Sequence, residues 1–175
     1  TSSGIVFIIL TTTNNGICSA SVDSMKLIIS DAPVVNAGTD TVICNDALVA
    51  LSGIVSGGSS SGFWSSSGTG AFSPNSSTLN ATYYPSGTDT IAGSLTMILS
   101  STNNGNCNVV KDTVQVDFAP RPSVAVGPDV SICSNNATIS VNGSVTGTSS
   151  TGLWTTSGSG TFSPSDTSLN PTYIA

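Results

Sequence analysis

The sequence predicts an all-β chain built from tandem sandwich modules, and three observations predict it. Good helix formers are scarce: there is no Glu, a single Gln (Gln115) and two Lys (Lys26 and Lys111), and these are residue types that lose little on entering a helix. Val, Ile, Thr and aromatic residues alternate instead with polar ones between clusters of Gly, Ser and Asn, the pattern of short, half-buried strands. The third observation is self-similarity at a fixed period, the mark of a repeat architecture.

PVVNAGTDTVICNDALVALSG, starting at Pro33, returns as PSVAVGPDVSICSNNATISVNG at Pro122, a shift of 89 that becomes 90 beyond Cys133. FWSSSGTGAFSPNSSTLNATY (Phe63 to Tyr83) returns as LWTTSGSGTFSPSDTSLNPTY (Leu153 to Tyr173), and TTNNGIC, ending at Cys18, returns as STNNGNC, ending at Cys107. The segments are therefore 1–31, the C-terminal hairpin of one repeat; 32–120, a complete repeat; and 121–175, the N-terminal two-thirds of the next. A repeat of about 90 residues fits one β-sandwich. Pro in the short junctions SDAP and APRP restricts the backbone, which predicts a fairly stiff string of modules.

Within the complete repeat, strands are expected at 34–44, 47–55, 62–66, 71–73, 79–84, 94–102 and 109–118. Asn103-Asn104-Gly105 tolerates positive φ and closes the last hairpin. Alternation places Leu95, Met97, Leu99, Val114, Val116 and Phe118 inward. Trp64 and Trp154 fall where a sandwich puts its central aromatic. Trp64, Trp154, Tyr83, Tyr84 and Tyr173 could stack on sugars, but their recurrence at one repeat phase reads as core packing. In the first hairpin the outward positions Ile5, Phe7, Ile9 and Ile28 replace Ser94, Thr96, Ile98 and Asp117 of the second. An apolar strip on a sheet face marks a lateral contact, with another copy or a partner; drift in sequence or cover by a neighbouring loop is the plainer account.

Composition narrows the chemistry. Ser, Thr, Gly and Asn supply 33, 23, 18 and 14 residues of 175, while only 12 are charged, the nine acids being all Asp. Without His or Glu there is no His-ligated metal, no HExxH zinc site and no Ser-His-Asp or Cys-His nucleophile. The Asp residues are scattered singly, and no hydroxyl has a base to activate it, so no enzyme and no cofactor are expected. Three basic residues and a net charge of −6 provide no face for nucleic acid. The longest apolar run, Ile5 to Leu10, is far short of the roughly 20 residues that a membrane helix needs, so no membrane insertion is expected.

NAGTDTVIC, ALVALSGIVSG, WSSSGTGAFSP, LNATY and STNNGNC followed by DTV together resemble the tandem immunoglobulin-like or PKD-like repeats of very large Bacteroidota cell-surface proteins. Those proteins include gliding-motility-type adhesins exported by the type IX secretion system. The resemblance spans essentially the whole chain and is specific for repeat type, not for a ligand. It departs from the PKD-like turn W-x-F-G-D-G, because Ser-Ser-Ser-Gly follows Trp64, so no acidic turn is offered to calcium.

The resemblance implies an extracellular, cell-surface location and an oxidising environment, in which Cys18, Cys44, Cys107 and Cys133, two per repeat, would form disulfides. Cys44 with Cys107 is the simple pairing; Cys18 with Cys44 and Cys107 with Cys133 are the permuted ones. An immunoglobulin-like topology would put Cys44 and Cys107 at opposite poles, which leaves open a bond from one module to the next. It also implies O-glycosylation at Asp-Ser/Thr-aliphatic sites: Ser24, Thr41, Thr90 and Thr113. Glycans would hydrate a surface poor in charge, whereas Asp-Thr is also simply common where strands begin. The expected function is a structural stalk segment of a surface adhesin or filament, whose partners are neighbouring repeats and further copies. The alternatives are a carbohydrate-binding module using loops such as Ser56–Gly62, or a spacer in a secreted hydrolase.

Overall fold

The computed structural model describes residues 4–175, which are almost wholly strand and turn. In chain order the elements are β1 (Gly4–Thr11), β2 (Val22–Ile29), β3 (Pro33–Asn36), β4 (Thr41–Cys44), β5 (Val49–Ala50), β6 (Ile54–Gly57), β7 (Ser61–Ser66), β8 (Ala71–Ser73) and β9 (Thr82–Tyr84). Then follow α1 (Gly87–Ala92), β10 (Ser94–Thr102), β11 (Lys111–Ala119), β12 (Ser123–Val126), a 3-10 turn (Ser134–Asn136), β13 (Thr138–Ser140), β14 (Gly143–Thr146), β15 (Thr161–Ser163) and β16 (Thr172–Ile174). The architecture is all-β with several small antiparallel sheets, consistent with a β-sandwich. Among the described residues no helix is long and apolar enough to cross a membrane.

Contacts divide the chain into two compact units: Thr1–Thr41 with Leu48–Asp117, and Val42–Ala47 with Phe118–Ala175. In the first unit β10 is central, pairing antiparallel with β11 on one edge and with β7 on the other. β3 pairs with β6, and β9 lies between β5 and β8. The alternation expected on β10 and β11 is present: Leu95, Met97, Leu99, Val114, Val116 and Phe118 are all buried. Trp64 and Tyr83 are fully buried as well. The hairpin β1–β2 also belongs to this unit; its strands pair from Gly4↔Ile29 to Thr11↔Val22.

The second unit pairs β12 with β14, and β16 with both β13 and β15. These are the sequence counterparts of β3–β6 and β5–β9–β8. Asp46 and Arg121 form an exposed ion pair at 3.4 Å in this unit, worth little in water.

Three expected elements differ. The stretch 34–44 is two strands broken at 37–40, where Gly38 takes φ +101°, a conformation that glycine reaches without strain. The stretch 47–55 breaks at 51–53, and 79–84 shortens to Thr82–Tyr84. Helix α1 was not expected. A capping box starts it, Ser86 with Asp89, and Gly93 in the left-handed region ends it.

Candidate functional site

The most elaborate polar cluster in the chain is built on Asp89. Its Oδ1 accepts the Thr69 N–H at 2.8 Å; its Oδ2 accepts the Tyr83 hydroxyl at 2.8 Å and the N–H groups of Ser86 at 2.9 Å and Gly70 at 3.1 Å. The carboxylate is buried. Burial by itself raises its pKa, but the hydrogen bonds from Thr69, Ser86 and Tyr83 outweigh that and hold the carboxyl well below the usual carboxylate range. Burial, with the carboxylate beside it, pushes the Tyr83 phenol up. Gly70 completes the cluster, since a Cβ there would lie 2.1 Å from the Tyr84 carbonyl oxygen. Both oxygens of Asp89 accept hydrogen bonds from within the chain, so the cluster ties the turn before β8, strand β9 and the start of α1 together.

Asp89 is also the first residue of the Asp89-Thr90-Ile91 match. Thr90 is half-buried on α1 and its hydroxyl donates to the Gly87 carbonyl at 3.1 Å. Ser24, Thr41 and Thr113 are exposed. Their preceding carboxylates bond to backbone: Asp23 to Ser24 N–H, Asp40 to Gln115 N–H and Asp112 to Ala37 N–H, each at 2.8 Å. Asp at these positions thus has a structural use of its own.

Ile5, Phe7, Ile9 and Ile28 are 57–63% exposed. The other face of the same hairpin is open too, with Val6, Ile8, Leu10, Met25 and Leu27 exposed. Apolar exposure is therefore not confined to the lateral strip singled out from sequence.

Core packing holds for Trp64, whose Nε1–H donates to the Leu79 carbonyl at 3.0 Å, and for Tyr83. Tyr84 departs from it: it follows Tyr83 on β9 and so faces outward, 46% exposed. Trp154 and Tyr173 are only half-buried. Beside the loop 56–62 the exposed ring is Phe63. Cys18, Cys44 and Cys133 are exposed free thiols and Cys107 a partly exposed one, with its Sγ 3.3 Å from the Asp31 carbonyl. Among the described residues no three His, Cys, Asp or Glu side chains gather as a metal site would require.

Sequence reasoning missed the Asp89 cluster. The signal was present as Ser86-Gly87-Thr88-Asp89, the spacing of a capping box with Asp in place of Glu. No known protein-family model matches the chain, and no significant match is found among curated proteins.

Proposed function

We propose that the chain is a structural segment of an extracellular bacterial adhesin or filament, a string of immunoglobulin-like or PKD-like modules of about 90 residues. The observation that carries this reading is that in the complete repeat, residues 32–120, the repeated positions go into packing: Trp64, Tyr83 and the inward residues of β10 and β11 are buried. The best-organised polar group, Asp89, spends all its hydrogen bonds on neighbouring elements. Such a segment holds a distal tip away from the cell and transmits tension through its strand ladders. In this reading the cysteines are oxidised after export. O-glycans occupy the exposed Ser24, Thr41 and Thr113 ahead of Thr90, whose hydroxyl is already bonded within α1.

Pulling the chain by its ends in a single-molecule instrument tests it. Residues 32–120 should give one discrete unfolding event that releases about 300 Å of chain, at 3.3–3.6 Å per residue. Smooth extension with no such event would exclude a load-bearing role. Intact-mass measurement on native material tests the glycans, and bare polypeptide mass would remove them from the reading.

A further inference from the structure

The chain contains three Asn-Gly pairs: Asn15-Gly16, Asn104-Gly105 and Asn142-Gly143. Such a pair carries its own chemistry. The glycine nitrogen, on giving up its proton, is a nucleophile placed to close a ring onto the asparagine side-chain carbonyl, and glycine has no side chain to keep the two apart. In a folded chain, what decides the reaction is how the glycine N–H is held and how much room surrounds it.

The three pairs differ on both counts. Asn15-Gly16 and Asn104-Gly105 occupy the same place in two hairpin turns, one joining β1 to β2 and the other β10 to β11. Gly16 and Gly105 are exposed, at φ +61° and +58°, and a Cβ added at either would meet nothing within 4 Å. Among the described residues neither N–H has a backbone acceptor. Each side-chain amide is anchored by one long bond, Asn15 Nδ2–H to the Thr12 carbonyl at 3.2 Å and Asn104 Nδ2–H to the Ser101 carbonyl at 3.3 Å.

Asn142-Gly143 lies at the start of β14 instead. Gly143 N–H donates to the Leu169 carbonyl at 2.8 Å, and the Asn142 carbonyl accepts the Gly127 N–H at 3.1 Å. A Cβ added at Gly143 would lie 2.8 Å from the Trp154 ring. Here the nucleophile is a bonded donor in a crowded place, and only local opening releases it.

We propose that Asn15 and Asn104 are sites of spontaneous self-modification, and that the backbone pairing of Gly143 protects Asn142. The glycine N–H loses its proton to hydroxide and the nitrogen attacks the side-chain carbonyl carbon. The new N–C bond closes a cyclic imide; the bond from that carbon to Nδ2 breaks, and ammonia leaves with a proton from water. Water then opens the imide. Attack at the side-chain carbonyl gives aspartate; attack at the main-chain carbonyl gives isoaspartate, whose main chain is longer by one methylene. Nothing is oxidised or reduced.

Each conversion adds a negative charge to a chain whose net charge is −6. At Asn104 it does more, because Oδ1 is buried with no partner. A carboxylate there loses the amide donor that reaches Ser101 and leaves charge buried without a bond, which is costly. The turn closed by the Cys107 N–H to Asn104 carbonyl bond at 3.0 Å therefore opens on conversion. The tips act as slow timers of the chain's age, whatever role the chain has.

Holding the 175-residue chain for days in mildly alkaline buffer made with heavy-oxygen water tests this. Tryptic cleavage after Lys26 and Lys111 puts the three pairs on three different peptides. There heavy oxygen marks each event, and an isoaspartyl methyltransferase labels the isoaspartate. In the folded chain Asn15 and Asn104 should convert faster than Asn142 by about 10-fold or more, the factor that a held N–H withholds. In denaturant the three rates should converge. Exchange at the Cys107 amide should be faster in the aged chain than in Asn104→Gln aged alongside it, since the longer side chain closes the ring far more slowly. Equal conversion at all three sites in the folded chain overturns the proposal. So does a folded chain in which Asn15 and Asn104 stay intact under conditions that convert them in denaturant, or a Cys107 amide that is indifferent to conversion.

Discussion

Asp89 shows how much one side chain can organise in a chain with so few charges. Its carboxylate accepts five hydrogen bonds from three separate segments, the longest from the Thr69 hydroxyl at 3.4 Å, and bonds to a charged acceptor each contribute about 1.5–3 kcal/mol. Asp89→Ala should therefore destabilise residues 32–120 by about 3 kcal/mol or more in a urea titration, while Tyr83→Phe, which removes one donor, should cost about 1–3 kcal/mol. The pH dependence follows from the direction of the shift. The folded carboxyl titrates below its ordinary value of 3.8, so its contribution is complete above that value and is lost as pH falls beneath it. Tyr83 is raised above 10.0, so its contribution is complete below pH 10 and is lost on going higher. Thermal melts between pH 2 and 7 should show the acid loss in the unaltered protein and a flatter profile in Asp89→Asn.

Strand β7 and residues 151–156 are nearly the same peptide in two circumstances, one paired with β10 and one not. Propensity cannot distinguish them; the partner strand does. Two measurements follow. Amides of 61–66 should exchange far more slowly than those of 151–156 in dilute solution. Gly62→Ala places a Cβ 2.9 Å from both Leu99 and Val55, an overpacking that should cost about 1–3 kcal/mol. Gly152→Ala meets its neighbours only at 3.2 and 3.3 Å and should cost markedly less, as paired denaturant titrations would show.

Across the whole chain, stability rests on burial and backbone pairing more than on charge. Among the described residues the single ion pair is the exposed Asp46–Arg121, so Arg121→Ala should change stability by less than about 0.5 kcal/mol. Excluded salts such as sulfate should raise the melting temperature by strengthening burial. A fall in melting temperature on adding sulfate would contradict that balance.

Repetition and alternation were enough to identify an all-β chain, to locate β7, β8, β10 and β11 within about two residues, and to name the inward residues of β10 and β11. Those signals are local: a period of two and a tolerated turn can be read along one stretch of peptide. The helix at Gly87–Ala92 and the outward turn of Tyr84 had local signals, the Ser86–Asp89 capping box and the strand alternation after Tyr83. The burial of Asp89 came only with the folded arrangement, because it depends on which distant backbone groups and side chains stand opposite. Trp64 and Trp154 make the same point. They sit in matching sequence, yet one is fully buried and the other half-open, because burial belongs to the surfaces that meet and not to the residue that is placed between them.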